Sequence, residues 1–113
     1  MLQQSLSDIE QAIASKRLSL LYVQAPNCGV CGVFRHQVGE LLEQMPAVNG
    51  VFTDISLVPS IASRFHVLTA PAVLVFFDNK EVYRTARYIK TAELKAMLDD
   101  YLQLMQDENN LSN

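Results

Sequence analysis

Cys28 and Cys31 are the two cysteines of this chain, and only Gly29 and Val30 separate them. The pair follows an apolar run and directly precedes a helical pattern. Dithiol–disulfide exchange needs two thiols close enough to form a small ring, and this spacing supplies them. A helix that begins here would turn its free N–H groups and the positive end of its dipole toward the first thiol, which stabilises the thiolate. The pair is therefore a candidate redox centre, with two ordinary buried cysteines as the alternative.

The elements around the cysteines alternate between strand and helix patterns. The run at residues 18–23 is almost continuously apolar, which is typical of a strand covered on both faces. The order of elements predicts one α/β domain over residues 1–113, with a mixed sheet of about four strands and helices on both faces. Residues 1–5 and 107–113 are expected to fray. The predicted elements are helix 7–16, strand 18–23, helix 28–45, strand 51–55, helix 59–65, strand 72–77, strand 82–85 and a helix from Thr91.

Composition argues against several classes of partner. The net charge is −3, so no excess of basic residues favours binding to nucleic acid or to an anionic membrane surface. The longest apolar stretch, residues 70–77, has the length of a strand and is far below a membrane span. The first residues show no basic segment followed by an apolar one, so no secretory signal is expected. We therefore expect a cytoplasmic protein, where an isolated cysteine pair is more often catalytic or metal-binding than structural.

Three features together resemble the thioredoxin family. The first is Cys28-Gly29-Val30-Cys31 after a buried strand, and the second is Thr69-Ala70-Pro71 directly before the apolar strand 72–77. The third is the closing hairpin with its amphipathic helix. The resemblance covers nearly the whole chain and implies a thioredoxin-like fold.

The same resemblance implies a thiol–disulfide oxidoreductase. Cys28 would be the attacking thiol and Cys31 the resolving one, with a redox disulfide between them. The clients would be protein or small-molecule disulfides, and an upstream thiol reductase would donate the electrons. Pro71 would be cis, and the backbone of Ala70 would pair with an extended client segment. Asn27, Gly29 and Val30 would complete the contact loop, and no cofactor or metal is implied.

The sequence departs from the family pattern beneath the cysteines. Tyr22 stands where the family commonly has a buried aspartate that helps to deprotonate the resolving thiol, and Phe52 stands at the accompanying lysine. A phenol with a pKa of about 10 is a poor base at neutral pH. We therefore expect slow resolution of mixed disulfides by Cys31.

Further departures concern the surface that a client would meet. Asn27 replaces the usual tryptophan, and Val30 replaces the proline of the spacer. Arg87, beside Tyr88, occupies the place of a groove-lining glycine, so these two residues mark a candidate groove suited to an acidic partner. The family's first edge strand is expected to be short or missing, which would leave an open sheet edge for a homodimer.

Two other function classes stay open. One is a module that keeps the fold to bind a partner and has little turnover. The other is a dimer bridged by a metal or an iron–sulfur cluster, because such sites need about four ligands and two chains would supply two cysteine pairs. Within one chain no metal site is expected, since His36 and His66 are scattered and typical of solvated positions.

Overall fold

The computed structural model describes residues 2–112, and its centre is a five-stranded mixed sheet in the order β1-β3-β2-β4-β5. β1 and β2 run parallel to β3, whereas β4 is antiparallel to both β2 and β5. The strands are β1 (Leu2–Gln3), β2 (Leu18–Gln24), β3 (Asn49–Asp54), β4 (Ala72–Phe77) and β5 (Lys80–Ala86).

The fifth strand corrects the prediction of about four. β1 is the edge strand expected to be short or missing; it is present and two residues long. It pairs Leu2 with Phe52 and Gln3 with Thr53, and the Thr53 hydroxyl donates to the Gln3 carbonyl oxygen at 2.8 Å. The unpaired backbone groups at the edge of β3 explain why so short a segment becomes a strand.

Four helices within residues 2–112 accompany the sheet; the last begins at Thr91 as predicted, whereas the other three begin at other residues than predicted. α1 begins at Leu6, one residue before the predicted start, because Ser5 is its N-cap: the Ser5 hydroxyl accepts a hydrogen bond from the Asp8 N–H at 3.1 Å. α2 begins at Cys31 and not at Cys28, because the preceding residues form a turn. The helices are α1 (Leu6–Ala14), α2 (Cys31–Glu43), α3 (Ile61–Phe65) and α4 (Thr91–Ser112).

The chain end predicted to fray continues α4 as far as Ser112 in the structure. Leu102 and Met105 still pack against the core. Arg17 Nη1 lies 2.8 Å from Glu108 Oε2, which connects this part of α4 to the residue that directly precedes β2. Met1 and Asn113, which belong to the segments predicted to fray, lie outside the described residues. No helix within residues 2–112 is both long and apolar enough to cross a membrane.

The sheet separates two apolar clusters, as the continuous apolar pattern of β2 predicts. Leu20 and Tyr22 of β2 belong to the cluster under α2 and α4, whereas Leu21 and Val23 belong to the cluster with α1 and α3. All four side chains are 0% exposed. Burial of such side chains contributes about 1.5–3 kcal/mol each, so β2 is held firmly on both faces and gives the residues that follow it a rigid base.

Candidate active site

The strand register brings three loops together at one end of the strands β2, β4 and β5. Val23 near the end of β2 is opposite Ala72 at the start of β4, and Ala72 is opposite Ala86 at the end of β5. The cysteine loop follows β2, Pro71 precedes β4, and Arg87 follows β5. Sequence-distant candidates therefore meet at one place because of the pairing of β2, β4 and β5.

Cys28 and Cys31 are joined by a disulfide, with their Cα atoms 5.4 Å apart. Cys31 is the first residue of α2 and is 4% exposed, whereas Cys28 lies before the helix and is partly exposed. The Cys31 N–H donates to the Cys28 carbonyl oxygen at 3.2 Å, which closes the turn between them. The two cysteines thus differ in exposure, and Cys28 is the more accessible of the two.

The loop around the disulfide forms an open depression on the surface. Asn27 has a left-handed backbone with φ of 58°, a conformation that asparagine tolerates better than most residues, and its side chain is exposed. Val30 is 48% exposed and is the N-cap of α2, without a side-chain hydrogen bond to the helix. The depression is lined by Gln24, Ala25, Asn27, Cys28, Gly29, Cys31, Gly32 and Arg35.

Tyr22 lies beneath the buried cysteine. Its hydroxyl donates to the Cys31 carbonyl oxygen at 2.6 Å, and its ring is 5.8 Å from that of Phe52, centroid to centroid. Burial raises the pKa of Tyr22 to about 12, although the positive charge of Arg35 acts in the opposite direction. At neutral pH Tyr22 is therefore a neutral hydrogen-bond donor and has no capacity to take a proton from a thiol.

Pro71 lies at the entry to β4, next to the ends of the two neighbouring strands. Its side chain is buried, and Ala70 before it is partly exposed. The Ala70–Pro71 peptide bond is cis. The Pro71 carbonyl oxygen accepts a hydrogen bond from the Arg87 N–H at 2.8 Å, so the two loops are joined through their backbones.

Arg87 and Tyr88 belong to the third of these loops, which follows β5. Arg87 has φ of 71°, in the left-handed region that glycine adopts at little cost and other residues disfavour. The Tyr88 ring is 69% exposed and packs edge-on against Phe34 of α2, with the ring centroids 5.3 Å apart. The two residues predicted to mark a groove thus connect the end of β5 with the helix that begins at Cys31.

Arg35 is a residue of the depression that the sequence reading missed. It lies four residues after Cys31 on α2, which places the two on the same side of the helix. It lines the same depression as both cysteines. The helical spacing was the signal that could have identified it.

The histidines and acidic residues show no gathering of metal ligands within residues 2–112: no group of three or more histidine, cysteine, aspartate or glutamate side chains is placed to hold an ion. His36 is 74% exposed and lies 2.6 Å from Glu40, and His66 ends α3 in a left-handed conformation. A metal held between the cysteine pairs of two chains stays a hypothesis.

Comparison with known proteins agrees with this architecture. The sequence model of the thioredoxin family matches residues 2–100. The thioredoxin-like protein YdfQ of Bacillus subtilis is 32% identical over 104 residues, which cover 92% of this chain and 93% of that protein. Among solved structures, a mutant thioredoxin from Halobacterium salinarum superposes with a TM-score of 0.81 at 21% identity, covering 89% of this chain and 88% of that one.

Oxidised mitochondrial thioredoxin 3 of Saccharomyces cerevisiae gives a TM-score of 0.78 at 21% identity, covering 88% of this chain and 93% of that one. At such identities the superpositions show the fold alone, and the family assignment rests on the sequence matches. The fold is thioredoxin-like α/β, as the sequence predicts, with its cysteine pair at the end of β2. The chain belongs to the thioredoxin family.

Proposed function

We propose that this protein is a thiol–disulfide oxidoreductase in which Cys28 attacks the client and Cys31 resolves the intermediate. The observation that carries the proposal is the unequal exposure of the two cysteines: both line the open depression, but Cys28 is partly exposed, whereas Cys31 is 4% exposed. Membership of the thioredoxin family supports the reaction type.

The reaction begins with the reduced pair. The Cys28 thiolate attacks one sulfur of a client disulfide, forms a mixed disulfide, and releases the other client sulfur as a thiolate. Cys31 then loses its proton to solvent and attacks the Cys28 sulfur, which breaks the mixed disulfide and frees the second client sulfur. Two electrons have passed to the client, and the Cys28–Cys31 disulfide remains. A thiol reductase would return two electrons and restore the dithiol.

The client would contact the three loops that meet at this end of β2, β4 and β5. The partly exposed Ala70 offers its backbone beside Pro71, and Asn27, Gly29 and Val30 border the disulfide. Arg87 and Tyr88 would form one wall of the client groove. The positive charge of Arg87 suits a client with acidic residues near its disulfide.

A second candidate function is partner binding with little turnover, and the state of Tyr22 favours it. A phenol whose pKa is about 12 leaves Cys31 without a base at the position where the family commonly has one. If resolution is too slow for turnover, the mixed disulfide or a non-covalent complex would be the functional product.

Compartment and assembly are further parts of the proposal. Two cysteines in a redox pair suit the reducing cytoplasm, where a thiol reductase is at hand. Within residues 2–112, β1 pairs with Phe52 and Thr53 of β3, and the outer edge of β3 beyond these two residues is a surface on which a second copy could pair. Sedimentation at two protein concentrations would detect such a homodimer.

The test is covalent capture of the client. Cys31→Ser should accumulate a mixed disulfide at Cys28, seen as a dithiothreitol-sensitive adduct on a non-reducing gel. Cys28→Ser is the matched control, because it removes the proposed attacking sulfur and keeps the other. Equal capture by both variants, or capture through Cys31 alone, would rule out these roles.

A further inference from the structure

Arg35 brings a positive charge to the depression that contains the buried cysteine. It lies one helical turn after Cys31 on α2 and lines the depression that also contains both cysteines. Its side chain is exposed, and within residues 2–112 no carboxylate forms an ion pair with it. Glu40 and Glu43 line the next depression along α2 together with Arg35, but neither forms an ion pair with it within 4.0 Å or lines the depression that contains the cysteines.

The other ionisable groups around the cysteines are neutral or lie outside the depression. From β2, Tyr22 faces Cys31 and stays protonated. At the end of β3, Asp54 keeps its negative charge, since its hydrogen-bond donors are the neutral amide of Gln24 at 3.2 Å and the N–H and hydroxyl of Ser56, but it does not line the depression.

The remaining groups lie on α2 and after β5. His36 Nε2 lies 2.6 Å from Glu40 Oε1, farther along α2. After β5, Arg87 adds a second positive charge at the same end of the strands. No carboxylate of residues 2–112 lines the depression itself.

We propose that Arg35 stabilises the thiolate of Cys31 and so replaces, by charge, a base beneath the resolving cysteine. The inference rests on the proposed function, since it concerns the resolving step. Arg35 is a positioning residue in this step: it keeps its proton throughout, while Cys31 gives its proton to solvent. The thiolate then attacks the Cys28 sulfur and releases the client sulfur.

The effect of Arg35 on Tyr22 supports this assignment. The positive charge of Arg35 opposes the burial that raises the pKa of Tyr22, so its field reaches the hydroxyl that donates to the Cys31 carbonyl oxygen. A field that acts on the group beneath Cys31 also acts on the cysteine above it. It favours the negatively charged form of either group.

The step can be observed with 4,4′-dithiodipyridine, a neutral disulfide whose thiopyridone product absorbs light. Attack by Cys28 releases one thiopyridone and leaves a pyridyl mixed disulfide. Attack by Cys31 then releases the second thiopyridone and forms the Cys28–Cys31 disulfide. The second phase therefore reports the resolving step alone, and a neutral probe avoids direct attraction to Arg35.

Arg35→Gln should slow the second phase about fivefold at neutral pH and low salt, as expected for a unit charge acting over several Å of partly solvated surface. The pH at which the second phase reaches half its maximal rate, its pH midpoint, should be higher in Arg35→Gln than in the native protein. The rate of the second phase in Arg35→Lys should stay close to the native rate. Molar salt should reduce the difference in this rate between the native protein and Arg35→Gln. Arg64→Gln is the matched control, because Arg64 lies on α3, on the other face of the sheet, beside Glu10 at 3.5 Å.

The result that overturns the inference is a second phase whose rate and pH midpoint are the same in Arg35→Gln and in the native protein. Equal slowing in Arg35→Gln and Arg35→Lys without a change in pH midpoint would also overturn it, since that pattern reports packing and not charge. Failure of the proposed function looks different: the native protein itself would show no second phase.

Discussion

Replacing Tyr22 by phenylalanine separates its structural role from any role in proton transfer. The hydroxyl is 0% exposed with the rest of its side chain and makes a 2.6 Å hydrogen bond to the Cys31 carbonyl oxygen. A hydrogen bond of this kind contributes about 1 kcal/mol net, so Tyr22→Phe should lower the free energy of unfolding by about that amount at neutral pH. The rate of the resolving step should change less than about twofold, because a protonated phenol is no base.

The same substitution should change how stability depends on alkaline pH. The pKa of Tyr22 rises from 10.0 to about 12 in the folded protein. A raised pKa contributes stability that is fully present below the unfolded value and is lost as the pH rises through the folded value. The full difference corresponds to about 2.7 kcal/mol, of which about half is lost by about pH 11. Tyr22→Phe avoids this loss, so the two stability curves should meet near about pH 11.

Urea unfolding, followed by circular dichroism at a series of pH values, measures both effects. Burial and the hydrogen bond to Glu93 also raise the pKa of Tyr83 to about 12. Its effect on the free energy of unfolding at alkaline pH is therefore the same in the native protein and in Tyr22→Phe. Tyr88→Phe, at a ring that is 69% exposed, controls for the loss of a surface phenol. Stability curves of native protein and Tyr22→Phe that stay parallel above about pH 10 would refute the reasoning.

Three other substitutions have defined outcomes. Tyr22→Asp should cost a few kcal/mol of stability, because it buries a carboxyl at a 0% exposed site, and it should accelerate the second thiopyridone phase; an unchanged phase would show that a base there is irrelevant. Arg87→Gly should raise the free energy of unfolding by up to about 1 kcal/mol, since φ is 71°, and should lower kcat/KM for an acidic disulfide peptide more than for a neutral one. Gly39→Ala should stabilise α2 by about 0.5–1 kcal/mol in urea unfolding with unchanged exchange rates, because a Cβ there meets nothing within 4 Å; destabilisation would contradict this.

The apolar run of β2 explains why the fold could be read from the sequence. Six of its seven residues are buried, and a strand without polar alternation is typical of a sheet covered by helices on both faces. Pro71 before β4 and the turn before β5 then placed the remaining strands. The length of edge strand β1 could not be predicted, since two residues have no periodicity and only the free edge of β3 makes them a strand.

The site was predictable in its residue types more than in its geometry. The spacing of Cys28 and Cys31 identified the redox pair, but the left-handed turn at Asn27 delays α2 until Cys31, so the predicted helix start at Cys28 was wrong. Counting back from Cys28 identified Tyr22, whereas its bond to the Cys31 carbonyl oxygen depends on the packing of α2 over β2. Arg35 follows from helical spacing once Cys31 is known to open the helix.

The most direct test of the account is the equilibrium oxidation of Cys28 and Cys31 in glutathione buffers. Free thiols would be alkylated at each poise and counted by mass spectrometry. The account predicts one reversible transition in which both thiols disappear together within a monomer, with a tenfold change per about 30 mV as a two-electron couple requires. A pair that forms no intramolecular disulfide at any poise, or that oxidises only between chains, would contradict it.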